Sequence, residues 1–426
     1  MPRYDQVAIR GFARSSFDPQ VRQLEYAQYE RASGGAWATM LRATGSLQRT
    51  EEQRKYQAGQ SDVLTTERDE VLVGGLSLDV HSRPLAAVSM VSGVEYHRDS
   101  VDSRRRDVRA LTNQTEERRG LYADGATASS LAIFTHATLT RPRWRIDAGL
   151  RVHRVQVSVP ESVFDAAQVA PTNVIGSAAG LFTLTGGLRL FGSVSQGFRA
   201  PNIDDLSTLG PFDFGVEVPS PGLQPEASVT MEGGMKVRTA RAGASVSLYR
   251  TALTQLIDRV PGMFDGASLM GGQAVYRKAN VGSAFVQGVE ADGELILTSS
   301  LTASGFLTYT YGHNKSRDEP LRRIPPLNGL FTLRLTPASG MWVDGSVRLA
   351  ARQDRLATGD RADHRIAKGG TPGWSVVSLN AGRRLGERVD LVGGIQNLVD
   401  EAYRTHGSGI DGQGRSAWIG LNARLW

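Results

Sequence analysis

The chain has 426 residues, a net charge of +6, 48 glycines and no cysteine. Absence of cysteine excludes disulfides, thiolate nucleophiles and thiolate metal sites together. No run approaches the roughly 18 apolar residues of a transmembrane helix, and the basic residues alternate with acids instead of forming the compact patch that nucleic acid requires.

In chain order, Met1-Pro2-Arg3-Tyr4-Asp5 opens without the apolar core of a secretion signal. From there a period of two dominates. Trp144, Ile146, Ala148, Leu150 and Val152 interleave with Arg145, Asp147, Gly149, Arg151 and His153. The same alternation places Val229, Met231, Met235 and Val237 against Thr230, Glu232, Lys236 and Arg238. It recurs with Val289, Ala291, Gly293 and Leu295 against Glu290, Asp292 and Glu294, and with Val343, Val347 and Leu349 against Asp344, Arg348 and Arg352. Each set occupies one face of a strand. The runs exceed the usual strand of about five or six residues, and their polar faces carry both signs of charge. An arginine facing lipid near mid-membrane costs roughly 2–4 kcal/mol, so Arg145, Arg151, Arg348 and Arg352 are expected to point inward.

Short turns are expected near Ser33–Gly35, Ser82–Pro84, Arg141–Arg143, Thr185–Gly187, Thr239–Arg241, Ser299–Leu301, Pro337–Gly340 and Leu385–Glu387. Long loops are expected near 13–21, 51–69, 99–128, 158–177, 199–226, 254–282, 314–326, 354–373 and 402–415. Tight turns at one end and long loops at the other describe an all-β, antiparallel transmembrane β-barrel of about 18 strands. The run Arg104-Arg105-Arg106-Asp107 reads as a solvated loop, with contact to lipopolysaccharide or ligand as the alternative.

Four segments carry sharper information. Ser195-Gln196-Gly197-Phe198-Arg199-Ala200-Pro201-Asn202 is followed by Pro219-Ser220-Pro221-Gly222-Leu223-Gln224-Pro225-Glu226. Gln287-Gly288-Val289-Glu290 starts a long strand. The C-terminus holds Asn397-Leu398-Val399-Asp400-Glu401-Ala402-Tyr403, then Gly414-Arg415-Ser416 and a final strand to Trp426. Pro201 cannot donate to a ladder and ends one. Asn397 and Asp400 suit a turn whose backbone groups need side-chain partners. These boxes, in this order, resemble those of TonB-dependent outer-membrane receptors. Ser220 and Gly222 stand where that family has asparagines, and Trp426 falls on the opposite parity from Ile419, Leu421, Ala423 and Leu425.

The resemblance implies a barrel of about 22 strands in full, with an N-terminal plug and a TonB box ahead of it. Residues 1–426 are thus expected to form a single barrel domain, lacking the plug, some four strands and the export signal. The implied function is TonB-energised uptake of an iron-siderophore, heme or similar nutrient; a passive porin-like channel and an outer-membrane enzyme are the alternatives. Implied partners are outer-membrane lipid and lipopolysaccharide, the barrel assembly machinery, a ferric chelate or heme, and TonB through the absent N-terminal part only. No catalytic set, cofactor or metal site is expected, since no nucleophile elbow, His-Glu-x-x-His or Walker loop occurs. Candidate ligand contacts are Tyr309 and Tyr311 for stacking, His313, His364 or His406 for heme, and Arg352, Arg355, Arg361 and Arg365 for an anionic chelate. The boxes themselves read mainly as scaffolding: Phe198, Arg199, Ala200, Pro201, Pro221, Leu223, Pro225, Glu226, Gly288, Glu290, Asn397, Leu398, Asp400, Tyr403, Gly414, Arg415 and Trp426.

Overall fold

The computed structural model describes residues 12–160, 166–212, 215–338, 340–363 and 365–424. Trp426 and His364, both singled out above, lie outside them. Seventeen long strands follow one another around one antiparallel sheet: β1 (Phe12–Gly35), β2 (Ala38–Ala58), β3 (Val63–Leu85), β4 (Val88–Arg109), β5 (Thr127–Thr140), β6 (Trp144–Val159), β7 (Thr172–Thr183), β8 (Leu188–Arg199), β9 (Glu226–Arg238), β10 (Ala242–Thr254), β11 (Ser283–Ile296), β12 (Leu301–Asn314), β13 (Asn328–Ala338), β14 (Met341–Ala350), β15 (Trp374–Leu385), β16 (Val389–Gln396) and β17 (Ser416–Ala423). Every strand pairs with the next in sequence, as a hairpin ladder requires. Among the described residues β1 and β17 are not paired with each other.

The count stands against about eighteen expected, and one correction explains the difference. The loop expected at 13–21 lies inside β1, whose ladder with β2 runs from Phe12↔Ala58 to Gly35↔Ala38. The ladders likewise continue deep into the loops expected at 51–69, 99–128 and 158–177. The first two of these stretches are charged on both faces, so composition alone reads them as loop. Cross-strand ion pairs make them sheet: Arg49 and Arg68 hold Glu70 and Glu51, and Arg106 holds Glu117 of the short strand Thr115–Arg119.

Parity assigns the two faces. Ile146, Leu150 and Val152 of β6, Leu248 of β10, Phe331 and Leu333 of β13, and Ile419 and Leu421 of β17 are exposed on one face. That apolar band is what lipid would cover. The other face holds charges in pairs: Arg145 with Asp147, Arg151 with Glu95, and Arg334 with Asp344, which also accepts from Asn380. Arg348 stacks over Trp374 on this inner face. Three of the four arginines thus turn inward as expected. Arg352 lies past the end of β14 and donates to the Gly369 carbonyl.

Candidate functional site: the mouth of the barrel

The long connections between β8 and β9 and between β10 and β11 fold over the inner wall at the end opposite the short turns. Asn202 caps a one-turn helix, Ile203–Ser207. Leu206 of that helix and Leu223 are buried against Val101, Ala126, Val157 and Val159 of the wall. Two small strands, Gly210–Phe212 and Gly215–Val218, continue the first loop, and the second loop supplies Ile257–Pro261 and Gln273–Asn280. Gly215–Val218 and Gln273–Asn280 pair in parallel, so the two loops share a sheet.

Charge ties this sheet to the wall. Buried Lys278 lies 2.5 Å from Asp204 and 3.3 Å from both Asp205 and Glu217. Burial alone would lower the Lys278 pKa, but the Asp204 hydrogen bond and the three carboxylates outweigh it and leave it raised. Asp204 is lowered, because the ammonium overrides the opposing effect of burial. Glu217 also takes Arg259 at 2.5 Å. Arg199 holds Asp205 at 2.5 Å and pairs with Glu226. One guanidinium therefore joins the two sequence boxes of this loop, Arg199 at its start and Glu226 at its return. Pro201 is buried beside them, Pro221 is exposed, and Pro225 is half-buried. Ser220 accepts the Lys278 backbone N–H at 2.8 Å.

A second charged knot joins the loops that follow β12 and β14. Asp360 and Asp363 are fully buried. Arg323 donates to both, through its backbone N–H and its guanidinium respectively, and Arg365 donates to Asp363 at 2.8 Å. Arg322 stands within 3.7 Å of both carboxylates.

Between the knots lies a cavity of about 700 Å³. Phe212, Tyr276, Arg259, Arg317 and Arg322 line it together with the apolar side chains of Leu256, Pro320 and Leu321. Phe212 and Tyr276 meet edge to face at 5.3 Å, and the Arg259 guanidinium lies 4.7 Å from the Phe212 ring. Two carboxylates, Asp258 and Glu319, share the lining, and Arg317 bridges toward both. A cleft with aromatic walls and convergent cations suits an anionic ligand bearing flat rings.

The C-terminal box closes its own loop. Asn397, buried and left-handed at φ 51°, accepts from Glu401 N–H and donates to the Glu401 and Gln413 carbonyls. Leu398 donates its N–H to Val377, and Asp400 accepts from the Arg415 N–H. Tyr403 packs on Trp374, and a Cβ at Gly412 would overlap its ring. Gly414 leads directly into β17. Likewise a Cβ at Gly288 would overlap the Tyr309 carbonyl and the Tyr249 ring. Glu290 faces inward opposite Ser247 and Thr308. Phe198 meets His153 edge on, with Ala200 half-buried after it.

Among the described residues, none of the predicted ligand contacts lines the cavity. Tyr309, Tyr311 and His313 share parity with Leu301 and Leu307 on β12, and so stand on the outer face. The period of two that marks the strand turns them from the lumen. Arg352, Arg355 and Arg365 are committed to Gly369, Thr310 and Asp363. Arg361 is exposed on the one-turn helix Thr358–Ala362, whose Thr358, Gly359 and Ala362 do line the cavity. Sequence reasoning missed Phe212, Tyr276, Arg259, Arg317 and Arg322, which lie in aperiodic loops. The one available signal was an aromatic residue between the two boxes joined by Arg199 and Glu226.

Comparison with known proteins agrees with this architecture. An iron-regulated outer membrane virulence protein of Vibrio cholerae is 26% identical over 243 residues, covering 54% of this chain and 36% of that protein. The chain thus spans about a third of the length of that curated relative. The copper transporter OprC superposes with a TM-score of 0.81 at 19% identity, covering 96% of this chain and 66% of that one. The Serratia marcescens hemophore receptor HasR, solved with its hemophore and heme, gives 0.74 at 15% identity, over 98% and 67%. Residues 2–398 match the family described as TonB dependent receptor-like, beta-barrel. That family implies a Gram-negative outer-membrane protein, and its members are transporters and receptors. Built as one ladder with an apolar outer band and a loop-filled mouth, the chain belongs to the TonB-dependent receptor β-barrel family.

Proposed function

We propose that this barrel serves a receptor that imports an iron-siderophore, heme or similar scarce chelate across the outer membrane, with TonB as the energy source. The carrying observation is the mouth cavity, where Phe212 and Tyr276 stand beside Arg259, Arg317 and Arg322. Flat rings stack on the aromatic side chains and anionic donors meet guanidinium groups. Arg361 at the cavity's rim is the predicted contact that this reading retains. The relatives' names point the same way: one is iron-regulated, one was solved with heme, and one carries copper.

The test is uptake of a radio-iron-loaded catecholate siderophore and of heme by iron-starved cells expressing the native protein. Replacing both rings (Phe212→Ala with Tyr276→Ala) is expected to lower uptake of the true ligand by about tenfold or more, as for a buried aromatic anchor. Unchanged uptake would remove the cavity from the pathway. Uptake that survives collapse of the inner-membrane proton gradient would make the barrel a passive channel.

A further inference from the structure

Outside the barrel, on the face away from the mouth cavity, three cations gather on one aromatic platform. The outward side chains of three adjacent strands read the same way from the short-turn end upward. On β10, Leu248 is followed by Arg250; on β11, Val289 is followed by Gln287 and Phe285; on β12, Leu307 is followed by Tyr309, Tyr311 and His313, with Lys315 just beyond. Apolar, then aromatic, then cationic is the order met on leaving a membrane core for its headgroup layer. Phe285 stacks with Tyr311 at 5.8 Å, and Tyr311 with His313 at 6.4 Å. The Arg250 guanidinium lies 4.3 Å above the Phe285 ring and the Lys315 ammonium 5.7 Å from it. Arg355 lies 4.5 Å from the Tyr311 ring.

The pairing of these cations sets them apart. Inside the mouth Arg199, Arg259, Arg317, Arg322 and Arg323 each have a carboxylate partner. Among the described residues Arg250, Lys315 and Arg355 have none. Arg250 donates only to the Gln287 amide, and Arg355 to the Thr310 carbonyl. The acid beside the platform, Asp318, is turned to His313 at 3.2 Å. Three cations without counter-charge, held on rings at headgroup height, leave donors for an anion arriving from the lipid side.

We propose that the Arg250–Phe285–Tyr311–Lys315–Arg355 platform binds the phosphate of an outer-leaflet glycolipid, whose acyl chains lie along the apolar band below. The site is independent of the cavity and of the ligand that the receptor carries.

The chain, folded in detergent, is incubated with bisphosphorylated lipid A and with its enzymatically dephosphorylated form, and retained lipid is read by native mass spectrometry. The phosphorylated lipid is expected to be retained, and each of Arg250→Gln, Lys315→Gln and Arg355→Gln to weaken retention by about tenfold, the loss of one charge-assisted bond. Arg348→Gln, on the inner face, is expected to leave retention unchanged. Equal retention of the dephosphorylated lipid, or a triple variant that holds lipid as the wild type does, overturns the proposal. A second measurement needs no charge variant: Gln287→p-benzoylphenylalanine in the outer membrane of living cells should yield a lipid A adduct on irradiation. A crosslink to phospholipid acyl chains alone counts against the site.

Discussion

Lys278 is the residue on which most of the mouth's charge converges. It is buried, and three carboxylates from two segments surround it. Removing one partner of a buried ion pair typically costs about 3–5 kcal/mol, because the other is left uncompensated. Lys278→Met is therefore expected to free Gln273–Asn280 from Gly215–Val218, while Arg199 and Arg259 keep part of the cluster neutral. Hydrogen exchange should show lost protection in both loop strands and unchanged protection in β9–β11. The pH dependence follows from the shifts. A raised lysine contributes stability that is present below 10.5 and lost as pH rises through its folded value. A lowered Asp204 contributes stability above 3.8 that is lost as pH falls through its folded value. Protection of these loops is thus expected to stay level between those limits. Asp69, on the outer reach of β3, behaves in the opposite sense. Burial, partly offset by the Ser103 hydrogen bond, pushes it up to about 6. The folded chain then binds more protons than the unfolded one between 3.8 and about 6, so this group favours folding at the acid end. Asp69→Asn is expected to flatten that local dependence, read as exchange rates of β3–β4 amides at pH 5 and pH 8.

At the scale of strands, much was open to reading. Alternation in Trp144–Val152 and Val343–Arg352 fixed both period and face, because a one-residue slip would put paired arginines into lipid. Most of the short turns hold Pro, Gly or Ser, the Thr239–Arg241 turn being an exception. The outer ends of β1–β4 were hidden, since a ladder of Arg and Glu on both faces has the composition of a loop. The same parity rule, applied to β12, would have sent Tyr309 and Tyr311 outward. The cavity was beyond reach, because its walls come from four loops whose shape depends on contacts distant in sequence, such as Glu217 with Arg259 and Arg323 with Asp360. One strand offers a direct test of face. Leu307→Arg places a charge against lipid and is expected to cost roughly 2–4 kcal/mol. Ser304→Arg, on the inner face opposite Glu294, is expected to be tolerated. Urea-dependent folding into phospholipid vesicles measures both.

On the scale of the whole molecule, the rim is uneven. β1 to β4 have 24, 21, 23 and 22 residues, whereas β16 and β17 have 8 each. At about 3.3 Å per residue the first group runs to roughly 70–80 Å along the strand and the second to under ~30 Å. An apolar band of about 25 Å uses only the lower part of the long strands. The remainder is a charged, ion-paired wall over β1–β4, at the opposite end of the ladder from the short β16 and β17. Because its ion pairs stand clear of the lipid, that wall is held by contacts that salt screens, and it is the part of the molecule that ionic strength can soften while the band below stays fixed.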